Sequence, residues 1–436
     1  MRINFKKLFR PKTHEGAPAA VITAEMELRR TIMACLLWED NFYESGGDVA
    51  GRIRELVARC QPETVAALAI EAREKGRLRH APLLLMRELA RHEKKPKIAA
   101  DLARVIQRAD ELAEFLALYW SEGRCPLSAQ VKKGLAEAFG KFDGYQLAKY
   151  NRDGAVRLRD VLFLCHPKPK DGAQEELWKE LAEKRLNAPD TWEVGLSAGG
   201  DKKAVFSRLL QEKKLGYLAL LRNLRNMVEA GVDNGLIRSA LRAGAEKSKA
   251  LPFRFVAAAR AVPSLEPELD KAMKQAVMGL PRLSGRTYVL VDVSGSMDDR
   301  LSRKSDLNRL DAAAALAVLV CAVAERARVF TFSNRVVEVP PRRSISLIEA
   351  VRQSQPHGGT ELGKAVKHLK EMGGYDRLIV VTDEQSHDRL PGPGGRGYMI
   401  NVANCRNGVG YGDWVHIDGF SEAVINYIQA LESLGK

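Results

Sequence analysis

The chain is poor in the features that would place it outside the cell, in a membrane or around a zinc ion. Its six cysteines (Cys35, Cys60, Cys125, Cys165, Cys321, Cys405) are scattered, with neither a C-x-x-C pair nor a zinc spacing. This excludes a disulfide scaffold and a zinc ribbon. Most of them lie in apolar helical stretches, where a reduced cysteine acts as a small hydrophobe. The eight histidines are dispersed, and none faces another at i,i+4 as a helix-borne zinc pair would. Segment 1–12 is basic but lacks the apolar core of a signal peptide. The longest apolar run, 312–324, is too short to cross a bilayer. No Ser/His/Asp or Cys/His grouping can be read from spacing. The expectation is a cytoplasmic monomer with no membrane contact and no enzymatic activity.

What the chain does have is positive charge. Its 436 residues are too many for one core and imply two or three domains. A formal net charge of +14 asks for a polyanionic partner. Lys and Arg number 20 and Asp and Glu 18 over 281–436, against 49 and 37 over the first 280 residues, so +12 of the excess lies there.

That first part reads as one helical pattern after another. The patterns cover 24–38, 49–60, 62–75, 82–92, 96–109, 111–121, 128–140, 157–166, 173–187, 201–213, 215–230, 233–248 and 266–279. Thr23 is a candidate N-cap, Asp48 opens the second helix, and Pro62 stands where a missing N–H costs nothing. In 215–230, Leu220, Leu221, Leu224, Met227 and Val228 form a stripe, with Arg222, Asn223, Arg225 and Asn226 opposite. Many short helices with short links indicate an α-solenoid with HEAT-like spacing or a large irregular bundle.

At Pro281 the pattern changes. Apolar strands at 286–293, 328–333, 377–383, 397–402 and 414–418 alternate with helices at 305–326, 361–371 and 421–434, which argues a doubly wound parallel sheet. The expected domains are therefore a basic N-terminal arm over 1–22, a helical domain over 23–280 and an α/β domain over 281–436. Ligands of such sheets sit beyond the carboxyl ends of the strands. Asp292-Val293-Ser294-Gly295-Ser296 lies there, presenting oxygens at alternating positions with a flexible glycine between them. Thr360, after Gly358-Gly359, and Asp383, ending another apolar strand, supply two more. Carboxylate and hydroxyl oxygens are hard ligands suited to Mg²⁺. The run from Gly358 to Gly363-Lys364-Ala365 nearly spells a phosphate-binding loop, but alanine replaces the required Ser or Thr.

These pieces, in this order, resemble the metal-ion-dependent adhesion site of a von Willebrand factor A domain. By that resemblance Ser294, Ser296 and Thr360 are hydroxyl ligands, and Asp292 and Asp383 act directly or through water. In the helical part, 158–169 (LRDVLFLCHPKP), 220–227 (LLRNLRNM) and 252–255 (PFRF) look like the TROVE module of Ro-type RNA-binding proteins, and 418–428 resembles that family's last helix. The chain is similar to a compact bacterial or phage Ro protein. The resemblance implies a ring of HEAT-like repeats closed by the A domain, whose basic hole takes single-stranded 3′ ends of misfolded non-coding RNA. It also implies a Y-type RNA on the outer face and work beside an exoribonuclease. The RNA contacts it implies are Lys149, Tyr150, Arg152, Arg157, Arg159 and His166, with Arg222 and Arg225 as further candidates. Lys and Arg neutralise phosphates, and Tyr150 offers a stacking face. The competing expectation is an A-domain module that recruits an acidic protein through its metal.

Overall fold

The computed structural model describes residues 11–33, 46–248, 250, 252–280, 282–301, 307–403, 405, 407–419 and 424–434. Cys35, Pro281, the first ten residues of the expected arm and the outer ends of the expected helices 24–38, 305–326 and 421–434 lie outside the described residues. The chain forms two compact units: one comprises Thr23–Trp38 and Gly46–Asp190, the other Met1–Ile22, Glu39–Ser45 and Thr191–Lys436.

The first unit is all helix, from Ala24–Met33 to Gly172–Ala182. Its helices begin where the side chains allow. Thr23 Oγ1 accepts the Met26 amide at 3.2 Å, and Asp143 forms a capping box with Gln146 ahead of Gly144–Tyr150. Apolar stripes meet in one core around Phe115, Leu116, Leu135 and Phe139, with Trp178 packed edge-on to Phe139 at 5.5 Å. One ion pair is sealed into this core. Arg73 and Glu111 are 7% and 0% exposed, and Arg73 Nη2 donates to both Glu111 oxygens at 2.7 and 3.0 Å. Arg73 Nε also donates to the Val105 carbonyl, while Glu111 accepts the amides of Gln107 and Arg108. Every charge in the group has a partner, as burial demands.

The second unit joins helices Trp192–Ser197 to Glu266–Met278 with a six-stranded sheet. Its strands are β1 (Leu283–Asp292), β2 (Ala324–Phe332), β3 (Val336–Val339), β4 (Arg377–Thr382), β5 (Arg396–Asn401) and β6 (Val415–Asp418). The order is β3-β2-β1-β4-β5-β6, parallel except for β3, which runs antiparallel along β2. Strands β1 and β4 are buried on both faces, as the continuous apolar runs imply. Helix Arg309–Val323 lies across the sheet; alanines at 312–315 and 317 are fully buried, so small side chains let it approach closely. Arg260 of helix Pro252–Ala261 makes a bidentate pair with the buried Asp311 of that helix.

Several elements differ from expectation. Helices Gly144–Tyr150, Trp192–Ser197, Pro252–Ala261 and Ile345–Arg352, and strand β3, were not foreseen. The helical reading of 305–326 is shortened: β2 already begins at Ala324. Asn223, expected on the polar face, is 2% exposed; its Nδ2 donates to the Ala219 carbonyl at 2.9 Å, which satisfies the amide within its own helix.

Replacing one member of a sealed ion pair leaves the other buried and uncompensated, at a cost of about 3–5 kcal/mol. Glu111→Gln is therefore expected to lower the urea midpoint sharply, whereas Glu74→Gln, in an exposed pair with Arg104, should shift it little. Equal shifts for the two variants would show that the buried pair is not structurally important.

Candidate functional site

Four of the oxygen side chains expected at the metal site, Asp292, Ser294, Ser296 and Asp383, gather at the carboxyl ends of β1 and β4, and the Thr360 backbone is fastened to the loop after β4. Parallel pairing of these strands, in register to Val291 and Val381, sets Asp292 beside Thr382, with Asp383 the next residue after β4. Both acids are fully buried, Ser294 and Thr360 nearly so, and Ser296 half-buried. Ser296 Oγ donates to Asp383 Oδ2 at 2.6 Å and lies 3.4 Å from Ser294 Oγ. Asp292 is held from two sides: Oδ1 accepts the Ser294 amide at 2.9 Å, and Oδ2 accepts the Thr382 hydroxyl at 2.5 Å. Backbone bonds fasten the three loops together, Gly295 N–H to the Gly358 carbonyl at 3.0 Å and His387 N–H to the Thr360 carbonyl at 2.9 Å. A Cβ on Gly358 would come 2.5 Å from Nδ2 of the exposed Asn334 and would push that amide aside.

Two buried carboxylates side by side cannot both ionise freely. Burial first, and then the charge of Asp383, raise the Asp292 carboxyl above its ordinary value. A residue that sequence spacing did not flag, Arg309, faces the problem directly. Its guanidinium is 4% exposed, donates to the Ser296 carbonyl at 3.2 Å, pairs with Asp299 at 3.1 Å and lies 3.9 Å from Asp383 Oδ2. Only its position at the start of a buried helix could have hinted at this. The donor set is all oxygen, with two acids and three hydroxyls, which fits a hard divalent cation such as Mg²⁺. Among the described residues no group of three or more His, Cys, Asp or Glu side chains could hold a metal.

The loop after Asp383 is braced on both sides. Glu384 adopts φ 60°, a costly conformation for a residue with a Cβ, and turns its buried carboxylate to the Gly410 amide and His416. His416 Nδ1 is 3.2 Å from Asp418, and the imidazole stacks on Tyr411 at 4.0 Å. On the other side lies a turn of the N-terminal arm. Thr13 Oγ1 donates to the Ser386 carbonyl at 2.8 Å, the His14 amide to Gln385 at 2.7 Å, and Glu15 pairs with His387 at 3.2 Å. Ala17 sits in the apolar cluster of Leu290, Phe332 and Leu362. The near-phosphate loop is accounted for as well. Asp388 accepts the amides of Gly363 and Lys364 at 2.8 and 2.7 Å, so a carboxylate already stands at the start of helix Leu362–Met372 where a phosphate would sit.

The RNA candidates fall in both units. Lys149, Tyr150, Arg152, Arg157, Arg159 and His166 belong to the all-helical unit, on and between helices Gly144–Tyr150 and Leu158–Cys165. Arg152 and His166 are exposed, and His166 ends its helix in the left-handed conformation. Tyr150 is half-buried and Arg108 lies over its ring at 4.6 Å, so its stacking face is largely taken. Arg157 pairs with Asp153 at 3.0 Å. Arg222 and Arg225 belong to the other unit, exposed on helix Tyr217–Glu229 opposite Leu220, Leu221 and Leu224.

Comparison with known proteins agrees with this architecture. Residues 176–319 match the TROVE domain and residues 286–390 the Ro60 vWA domain. The crystal structure of the Ro protein (RSR) of Deinococcus radiodurans is similar with a TM-score of 0.63 at 20% identity, over 94% of this chain and 99% of that one. Telomerase protein component 1 of Mus musculus is 34% identical and that of Rattus norvegicus 33% identical, each over 90 residues. Those segments are 20% of this chain and 3% of the relatives' length.

The bracing of Glu384 has a pH signature. Burial alone would lower the His416 pKa, but the charges of Glu384 and Asp418 outweigh it and raise the value to about 9. A histidine whose folded pKa lies above its unfolded one stabilises the fold at pH below about 6.5, and this contribution is lost as pH rises through 9. The stability gap between wild type and His416→Gln, read by urea titration, should be wide at pH 6 and narrow by pH 10. A gap independent of pH would mean that the imidazole is neutral.

Proposed function

We propose that this chain, a Ro-type protein in which a TROVE domain adjoins a Ro60-type von Willebrand factor A domain, binds RNA without cutting it. Its substrates in this reading are single-stranded 3′ ends of structured or misfolded non-coding RNA, taken into the basic ring that the family resemblance implies. A Y-type RNA on an outer face and an exoribonuclease partner complete the proposal, in a cytoplasmic role of RNA quality control or processing. The observation that carries it is the placement of charge. The first 280 residues hold +12 of the net +14, and Arg152, His166, Lys168, Lys170, Arg222 and Arg225 all face solvent. Positive charge kept in water suits a phosphate backbone.

The A-domain site would bind Mg²⁺ through Ser294, Ser296 and Thr360, with Asp292 and Asp383 direct or water-mediated ligands. The bound ion would supply a Lewis-acidic position for an acidic group or water. Catalysis is not expected, because a two-metal nuclease needs enough acids to hold two ions about 4 Å apart, and the cluster offers two. A second reading, recruitment of an acidic protein through the metal, draws support from Arg309: a guanidinium 3.9 Å from Asp383 would add positive charge to the site.

Two measurements test these assignments. Millimolar Mg²⁺ should raise the melting temperature, since a ligand of the folded state alone stabilises it. Asp292→Ala should abolish the rise and leave RNA binding intact; an unchanged rise in the variant would remove Asp292 from the site. For RNA, a hairpin with a 3′ tail should bind more tightly than its blunt counterpart and stay full-length during incubation with Mg²⁺. Each phosphate neutralised in a single strand contributes about 0.7 to the log–log salt slope. Lys149→Ala with Arg152→Ala should therefore flatten the slope by about one to one and a half units. Equal affinity for blunt and tailed hairpins would exclude threading of the tail, and an unchanged slope would clear these two residues.

A further inference from the structure

Among the described residues two aromatic side chains are more than half exposed, Tyr145 at 53% and Phe163 at 52%. Exposed aromatic rings are expensive, since each holds a large apolar area that water would expel. They are not scattered. Tyr145 lies on helix Gly144–Tyr150 and Phe163 on helix Leu158–Cys165, the two short helices that flank the basic segment. Each carries a cation from its own helix: Lys149 Nζ is 5.8 Å from the Tyr145 centroid and Arg159 5.8 Å from that of Phe163. The spacing, i and i+4 in each helix, puts ring and charge on one face. Leu147, Leu158, Val161 and Cys165 point into the core beneath, which turns the rings to solvent.

An aromatic face next to a cation is the combination that receives an unpaired base, the ring stacking on the base and the cation meeting its phosphate. A protein partner would need apolar area to fill, but the cations at the rings are Lys149 and Arg159, and segment 149–170 between and after the two helices adds Arg152, Arg157, Lys168 and Lys170 against Asp153 and Asp160, an excess of positive charge that suits a polyanion. A duplex hides its base faces, so two exposed rings would gain nothing from one. Resting on the RNA reading above and extending it, we infer that Tyr145 and Phe163 are stacking platforms for unpaired RNA bases. Tyr150, half-buried beneath Arg108, is not the platform. The recognition is sequence-tolerant, because every base has a face to stack.

The test separates bases from phosphates. A 12-nucleotide oligouridylate and the same strand with its bases replaced by abasic spacers are titrated against the full chain by fluorescence anisotropy. The variants are Tyr145→Ala, Phe163→Ala and Phe163→Leu, the last keeping apolar bulk without a ring. Wild type should bind the strand with bases about tenfold more tightly per ring engaged than the abasic strand. Each alanine variant, and Phe163→Leu equally, should lose about that factor on the oligouridylate and nothing on the abasic strand. Both side chains are half in water, so melting temperatures should hold, and a variant that melts early is replaced by Tyr145→Leu. Wild-type binding of both strands with equal affinity, or losses on both strands alike, would overturn the platforms while leaving phosphate binding in place. Failure of wild type to bind either strand would overturn the RNA reading itself.

Discussion

Two buried carboxylates on adjacent parallel strands are the constraint around which the α/β part is arranged. Asp292 ends β1 and Asp383 follows directly after the adjacent β4, and both are fully buried. Their mutual repulsion is met by donors on every side: the hydroxyls of Ser296 and Thr382, the amides of Ser294 and Gln385, and the guanidinium of Arg309. Remove the sheet order β2-β1-β4 and the acids separate. Remove the hydroxyls and the charges are stranded. Local sequence, sheet topology and electrostatics agree at this one point, which is why short loops with little apolar content hold a fixed shape.

The helical part obeys a different economy. Its stability comes from apolar stripes meeting in continuous cores, and its charges are sorted by burial. Arg73 is enclosed and paired with Glu111, whereas Arg152, Arg222 and Arg225 stay in water. The same residue type thus serves as core cement in one place and as surface potential in another, and burial decides between them.

Much of this was legible in the chain itself. The D-x-S-x-S run, the Gly-Gly-Thr turn and the strand ending in Asp383 lie consecutively along one rim, because alternation of strand and helix dictates that rim. Long amphipathic helices were readable for the same reason. The misses have physical causes. Strand β3 has four residues at a sheet edge, with one buried. Helix Ile345–Arg352 follows Ser344 at φ 59° without a side-chain cap, so no start signal existed. Asn223 reads as polar but bonds back to its own helix and enters the core. Arg309 acts through neighbours 10 to 74 positions away, a relation no local pattern contains. The Asp388 carboxylate at the near-phosphate loop was hidden likewise, 24 and 25 positions from the amides it holds.

The arm that braces the Asp383 loop carries a consequence for biosynthesis. Thr13 and Ser386 are 373 positions apart, so a ribosome adding about 5–20 residues per second makes the second roughly 20–75 s after the first. Through that interval the arm has no acceptor for Thr13, and the contact can form only after nearly every other element has had time to fold. The bond between the two thus reports that translation has passed the last loop of the metal site.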